Sequence, residues 1–294
     1  MPKLEINSFM RKVCVLTSVH TPFDTRIFHK EAKSLLKAGY EVTLVAQHDK
    51  DEIVEGIKII SLPKSRSRIE RMTRTMWQVY RKAVKIDADI YHLHDPELMP
   101  MGLLLKLQGK KVIYDIHENL TKQIKNKQLI NPWCRDIISM SVYWVERFLL
   151  IDVPTIFAEI SYHKDYHWVK NYTTILNMPL INELRPLKKK FQKFEKQSIG
   201  YIGNVSETRG SLVTLEALKI LKENGIEPRF ECVGLIDKLH KQKLLRLREE
   251  NKLYNVVFHG YMPAYEGWSI IAQCDIGLAV VLSLIHISEP TRLC

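Results

Sequence analysis

No apolar run in the sequence is long enough to cross a bilayer, and the N-terminus, Met1-Pro2-Lys3-Leu4-Glu5, lacks the apolar core of a signal peptide. The expected location is the cytoplasm. Cysteine is sparse and odd in number. Cys14, Cys134, Cys232, Cys274 and Cys294 form no Cys-x-x-Cys pair, which argues against a disulfide framework and against a zinc site. Cys14, Cys232 and Cys274 lie in or beside apolar runs and read as small buried hydrophobes. Acidic residues are outnumbered, 33 Asp and Glu against 44 Lys and Arg, for a formal net charge of +11. A basic surface implies an anionic partner: nucleic acid, anionic lipid or a phosphorylated small molecule. No nucleic-acid recognition motif is present, and the aromatics near the most basic stretch are few, so nucleic acid is set aside.

What is present is an ordinary globular composition, 46% hydrophobic and 26% charged, over 294 residues, enough for two domains with real cores. The charged and histidine residues sit just after short apolar runs. Val13-Cys14-Val15-Leu16 leads into Ser18-Val19-His20-Thr21-Pro22-Phe23-Asp24-Thr25-Arg26. Asp89-Ile90-Tyr91 leads into His92-Leu93-His94-Asp95-Pro96-Glu97, and Lys111-Val112-Ile113-Tyr114 into Asp115-Ile116-His117-Glu118. Continuous short apolar runs mark buried parallel strands, and ligands in open α/β sheets bind outside the carboxyl ends of such strands. These three strand ends are therefore expected to build one site from three loops.

The strand and helix signals alternate. A helix is expected over 26–38, with Phe28, Ala32, Leu35 and Leu36 on one face, then a strand over 41–45 and a hairpin or edge extension about Gly56. Residues 64–85 hold eight Lys or Arg against one Glu and read as a basic helix. Strand 89–93, helix 97–108, strand 111–115, an aromatic-rich helix over 133–150 and strand 155–158 complete a doubly wound domain over 1–176. Residues 177–198 mix Pro, Asn and Lys without a period and read as a linker. A second βα series then begins: strand 199–202, the loop Gly203-Asn204-Val205-Ser206-Glu207-Thr208-Arg209-Gly210, helix 211–224, and strands 229–233, 255–259 and 275–281. The second domain, 199–281, is expected to be incomplete, because a helix should follow its last strand. The tail 282–294, LSLIHISEPTRLC, has no helix period and no cap. It is similar to translated sequencing-adapter DNA and is read as non-native, with a native C-terminal strand as the alternative, so its His286 and Glu289 are not counted in the site.

The ordered motifs VLTSVHTPFDTRIFHKEAKSLLKAGYEVTLVA, DIYHLHDPEL, KVIYDIHE, YIGNVSETRGSLVTLEALKIL and HGYMPAYEGWSIIAQCDIGLAVV resemble the retaining GT-B glycosyltransferases of family 4, over residues 12–281. The resemblance implies an α/β GT-B fold, two Rossmann-like doubly wound domains facing across a cleft. It implies transfer of a sugar, with retention, from a nucleotide diphosphate sugar held mainly by the second domain to a glycan or lipid-linked acceptor held mainly by the first. No metal and no further cofactor is implied. Two departures stand out. The family's pair of glutamates beyond the DIGL-type strand is absent, and the basic residue that often follows the second-domain glycine is here Asn204, which leaves Arg209.

The resemblance places His117 near the donor sugar, with Asp24 as base or hydroxyl ligand. His20, Arg26 and Glu118 are candidate acceptor-side ligands, and Gly203, Asn204, Arg209 and Gly210 candidate diphosphate ligands. A helix N-terminus and a cationic side chain can together meet the charge on a leaving diphosphate. Blander readings stand beside these. Asp24 is placed to cap the helix, and Asp115 and Glu118 to orient His117 or to cap the next helix. His92 and His94 share one strand face at a spacing that suits a metal, yet structural packing, with Asp95 capping the following helix, is preferred. The 64–85 helix reads as a contact for an anionic membrane surface, making the protein peripheral at the inner face of the cell membrane, or as a core helix with a charged outer face. The expected role is cell-surface polysaccharide synthesis. The alternatives are a GT-B nucleotide-sugar epimerase and an inactive fragment.

Overall fold

The structure is a computed structural model that describes residues 10–125 and 131–280. The chain divides into two compact units, Met1–Met178 and Pro179–Cys294.

The first unit is built on an eight-stranded sheet: β1 (Lys12–Leu16), β2 (Glu41–Gln47), β3 (Glu52–Val54), β4 (Ile57–Leu62), β5 (Ile90–Leu93), β6 (Lys111–Ile116), β7 (Thr155–Phe157) and β8 (Tyr172–Thr174). Their order is β3-β4-β2-β1-β5-β6-β7-β8, parallel throughout except at the β3–β4 hairpin. β1 is buried at Val13, Cys14, Val15 and Leu16, as a strand covered on both faces must be. Alternation along it feeds two cores. Val13 and Val15 pack with Ile27, Phe28 and Ala32 on one face, and Cys14 and Leu16 pack with Val79, Ala83, Leu98 and Leu105 on the other. Each fully buried aliphatic side chain there contributes about 1.5–3 kcal/mol. The strand order reverses at β1, between β2 and β5, so the carboxyl ends of β1, β5 and β6 surround the crevice where such sheets bind ligands.

The second unit carries a parallel sheet of order β11-β10-β9-β12, formed by β9 (Ser198–Ile202), β10 (Arg229–Val233), β11 (Val256–Gly260) and β12 (Ile276–Gly277). Its order reverses at β9. Leu215, Leu218, Phe230, Cys232, Leu244 and Val256 form its core.

Several elements differ from expectation. The segment over 26–38 begins as a π-helix, Thr25–Ala32, and becomes α-helical only over Lys33–Lys37. The basic stretch is helical from Arg68 onward, and its Thr75, Val79 and Ala83 are buried against the first sheet. β8 had no signal strong enough to be read. The segment read as a linker carries the helix Ile181–Lys190, which packs on the helix Ala264–Ile271. Of the last expected strand only Ile276–Gly277 pairs, with Ile199 and Gly200. Residue 281 and the 282–294 tail lie outside the described residues.

Candidate functional site

The loop after β1 is held by a carboxylate from the loop after β5. Asp95, fully enclosed, accepts from Thr17 Oγ1 at 2.8 Å and from the amides of Ser18 at 2.6 Å and Val19 at 3.2 Å. It makes no side-chain bond to the turn that follows it, so the expected helix cap is corrected: Asp95 organises the opposite loop. The Ser18 hydroxyl also donates to Glu97 Oε1 at 3.0 Å.

Asp24 caps the π-helix. Its Oδ1 accepts from the amides of Arg26 at 2.8 Å and Ile27 at 3.0 Å, and its Oδ2 lies 3.5 Å from His20 Nδ1. Burial pushes its carboxyl up, but the His20 bond and the two amides outweigh burial and hold it down at about 2. The same Asp24 bond, helped by Asp95 3.6 Å from His20 Nε2, raises His20 above its ordinary value.

Behind this loop lies a buried charged cluster that sequence reasoning only partly reached. Arg26 is 4% exposed. Its Nε and Nη2 donate to Asp115 Oδ2 and Oδ1, each at 3.0 Å, and its Nη1 donates to the Ile175 carbonyl at 3.0 Å. Its Nε also lies 2.8 Å from Glu31 Oε1. Residues five apart on an α-helix point about 140° away from each other. The wider π turn brings Arg26 and Glu31 to the same side. Glu31 was not singled out because no α-helical spacing links it to Arg26. Burial, and then the neighbouring Asp115, push its carboxyl up to about 9.

His92 and His94 do share one face, with ring centroids 4.4 Å apart, and both are buried. Burial lowers His92 to about 4 and lowers His94 well below the usual histidine value. His94 Nδ1 lies 2.8 Å from His117 Nε2. Ligand atoms of Glu31, His92, His94 and Asp115 fall within 4.8 Å of one another, a spacing that could hold a metal ion. The Arg26 guanidinium, however, already lies against both carboxylates. One proton on Glu31 then leaves the cluster neutral, and a cation would sit beside a fixed positive charge.

His117 is half-buried at the end of β6, and burial lowers its pKa, favouring the neutral ring. Its Nε2 is turned inward to His94 and to Asp115 Oδ2 at 3.5 Å. Tyr162 donates to its carbonyl at 2.7 Å. Glu118 is exposed and accepts from Gln123 at 2.6 Å. The helix Leu120–Lys125 is capped by Asn119, whose Oδ1 accepts from the Lys122 amide at 2.9 Å, so neither Asp115 nor Glu118 is its cap. The structure thus brings His20, Asp24, Asp95 and His117 together at the strand ends. It places Arg26 beneath them with its donors committed, and leaves Glu118 outside the cluster.

In the second unit the 203–210 loop leaves β9 where the strand order reverses. Gly203 has φ +154° and Gly210, at φ 71°, opens the helix Ser211–Glu223, which has no side-chain cap. Asn204 and Arg209 are exposed. Arg209 lines a small cavity with Tyr201, Ser211, Phe230 and Phe258. Gly234, not singled out from sequence, fixes this loop: a Cβ there would lie 1.7 Å from the Gly203 carbonyl oxygen. Its signal, a glycine directly after a strand, is too common to act on alone.

A sequence model of the family described as Glycosyltransferase Family 4 matches residues 25–151. No curated protein sequence matches the chain. Among solved structures, a sucrose-phosphate synthase from Thermosynechococcus elongatus aligns over 92% of this chain and 76% of its own, with TM-score 0.65 at 15% identity. HepE from Anabaena, in complex with UDP and glucose, aligns over 92% and 74%, with TM-score 0.63 at 12% identity. WaaG, a glycosyltransferase involved in lipopolysaccharide biosynthesis, aligns over 92% and 75%, with TM-score 0.60 at 15% identity. Each unit carries a parallel sheet whose strand order reverses, and these likenesses, which span both units, show the GT-B fold with two Rossmann-like units, the first of which contains the segment similar to Glycosyltransferase Family 4.

Proposed function

We propose that the chain moves a sugar, with retention, from a nucleotide diphosphate sugar to a glycan or lipid-linked acceptor in cell-surface polysaccharide synthesis. The observation that carries the donor half is the 203–210 loop. It opens at the strand reversal onto the uncapped N-terminus of a 13-residue helix and presents an exposed Arg209. Orphan amides and a guanidinium stabilise the negative charge that develops on a leaving diphosphate. Gly203 and Gly210 let the backbone approach the phosphates, and Asn204 offers an amide where a second cation would stand. HepE was solved with UDP and glucose, and a starch synthase of the same fold with ADP and acarbose, which supports a nucleotide donor.

In the first unit His117 is assigned to the sugar at the reaction centre. Its Nε2 is committed to His94, which leaves Nδ1 to bond a hydroxyl. A carboxyl held near 2 is a weak base at neutral pH, so Asp24 serves as a hydroxyl ligand that also orients His20. Glu118 is available to the acceptor, and Arg26 contributes by fixing Asp115 under His117. The reaction is assigned no metal. No helix among the described residues is long and apolar enough to cross a membrane. A lipid-linked acceptor would be met at the anionic inner face of the cell membrane, toward which the basic stretch 64–85 contributes charge. WaaG and the outer-core galactosyltransferase WaaB, both of lipopolysaccharide synthesis, support that setting.

The test is a thermal-shift scan with UDP, GDP, ADP and their sugars on the chain and on Arg209→Ala. A ligand of the folded state raises its melting temperature. Stabilisation by one diphosphate, lost in the variant, is the expected result. A cooperatively melting protein that no nucleotide stabilises overturns the reading.

A further inference from the structure

Arg26, Glu31, His94 and His117 stand in a row from the interior of the first unit to the end of β6. The row begins at Arg26, whose single positive charge is already matched by Asp115: Nε and Nη2 donate to the two carboxylate oxygens. A second ionised carboxylate beside this pair would be a buried charge without a counter-charge of its own. Glu31 is that second carboxylate, and it keeps its proton: burial and the Asp115 charge hold its pKa up at about 9. Geometry decides which oxygen carries it. Oε1 lies 2.8 Å from Arg26 Nε, and an O–H there would set hydrogen against hydrogen. The proton therefore belongs on Oε2.

Two rings face Glu31 Oε2. His94 Nε2 is the nearer at 3.5 Å, and His92 Nδ1 lies at 3.9 Å. Glu31 Oε2 and His94 Nε2 are both buried without a hydrogen-bond partner among the described residues, so an approach of about half an ångström satisfies both at once. The other nitrogen of His94, Nδ1, is 2.8 Å from His117 Nε2. Burial lowers the pKa of both rings, so at neutral pH each carries one proton and one proton lies between them. With His94 Nε2 accepting from Glu31, that shared proton belongs to His94 Nδ1. His117 Nε2 then accepts, and the proton of His117 sits on its Nδ1. Asp115 Oδ2, 3.7 Å from His94 Nδ1 and 3.5 Å from His117 Nε2, flanks the shared proton without choosing its owner.

We propose that Glu31 and His94 are positioning residues that fix the tautomer of His117: Arg26 donates to Glu31 Oε1, Glu31 Oε2 donates to His94 Nε2, His94 Nδ1 donates to His117 Nε2, and His117 Nδ1–H is left to donate to an oxygen of the ligand. His117 then gives a hydrogen bond and takes no proton, which makes it a polarising group and not a general base. The inference rests on the reading of His117 as a sugar ligand only for the identity of that oxygen. The tautomer is a property of the chain without ligand.

The experiment is long-range proton–nitrogen correlation on the full chain with nitrogen-15 histidine at about pH 7, with melting curves on every variant. His117→Asn identifies the His117 signals by their loss. The expected result is a protonated His117 Nδ1, an unprotonated Nε2, and a nitrogen–nitrogen coupling from that Nε2 to His94 Nδ1. Glu31→Gln offers an amide N–H in place of the carboxyl O–H and should keep the pattern. Glu31→Met has similar reach and no donor, so both rings should revert to the Nε2–H form that free histidine favours. The His117 Nδ1 signal should then move to the unprotonated range. A parent with the His117 proton on Nε2 overturns the proposal. So does a folded Glu31→Met that keeps the Nδ1–H form, because packing alone would then hold the tautomer. Where Glu31→Met does not fold, the parent and Glu31→Gln decide, and loss of the pattern in folded Glu31→Gln also overturns it. An Nδ1–H tautomer in a chain that no nucleoside diphosphate stabilises upholds the relay and removes the donor reading.

Discussion

Arg26 and Asp115, 89 residues apart in sequence, meet in a buried two-pronged ion pair: Nε to Oδ2 and Nη2 to Oδ1, each at 3.0 Å. The pair joins the first loop of the sheet to the end of β6, and His117 stands two residues further on. Removing one partner of such a pair strands the other charge in the interior, at a cost of about 3–5 kcal/mol. Arg26→Leu should therefore lower the free energy of unfolding by that amount in urea titrations. A stability unchanged by the substitution would show Arg26 to be a surface ligand after all.

Glu31 makes the cluster pH-sensitive. Its carboxyl moves from 4.5 to about 9, chiefly through burial. The folded protein keeps a proton that the unfolded chain releases above 4.5. The stabilisation is complete below 4.5 and is lost as pH rises toward about 9, by at most about 1.4 kcal/mol per pH unit. Glu31→Gln copies the protonated form. Urea midpoints at about pH 6 and about pH 8 should separate less for the variant than for the parent.

Asp24 has two jobs that two substitutions separate. Asp24→Ala loses the cap and should cost about 1 kcal/mol of stability. Asp24→Asn keeps the cap acceptor and should melt above Asp24→Ala but below the parent, since the charge that His20 and the two amides stabilise, and that raises His20, is gone. The His20 pKa, read by NMR, should fall in Asp24→Asn. An unchanged value would mean that Asp95 alone sets it.

His117→Asn removes the partner of buried His94 and should cost about 1–3 kcal/mol of stability, and in the folded protein it should slow sugar transfer by about 100-fold if its Nδ1 bonds the reacting sugar. Transfer rates at saturating donor measure this. A full rate in the variant removes His117 from the reaction centre.

Gly234→Ala should disrupt the 203–210 loop without touching Arg209. The added Cβ would lie 1.7 Å from the Gly203 oxygen, and φ at 234 is +149°. Backbone strain of this kind costs on the order of 1–3 kcal/mol or more. The expected outcome is a lowered melting temperature together with lost stabilisation by nucleoside diphosphate.

Much of the architecture was legible because buried parallel strands announce themselves. Val13–Leu16, Val42–Val45 and Val112–Tyr114 are apolar runs between helices with one apolar face, and the strands formed there. β8, Tyr172–Thr174, is not legible because an edge strand of that length has no such run. The cluster at the strand ends was legible as three loops, since their order along the sheet follows from the βα alternation. The partners inside it were not. The place of Asp95 before Pro96 suits a helix cap, but a carboxylate binds the nearest open donors, and here those belong to residues 17–19.

The sequence by itself determined the alternation of strands and helices, the basic charge, and which residue types stand at the strand ends, because these depend on local order along the chain. Only the tertiary structure decided how those residues are used. It alone buried Arg26 against Asp115, turned Glu31 inward through a π turn that no α-helical spacing encodes, and set His94 against His117. Charge, burial and exposure are properties of what surrounds a side chain, and those surroundings are assembled from segments far apart in the sequence.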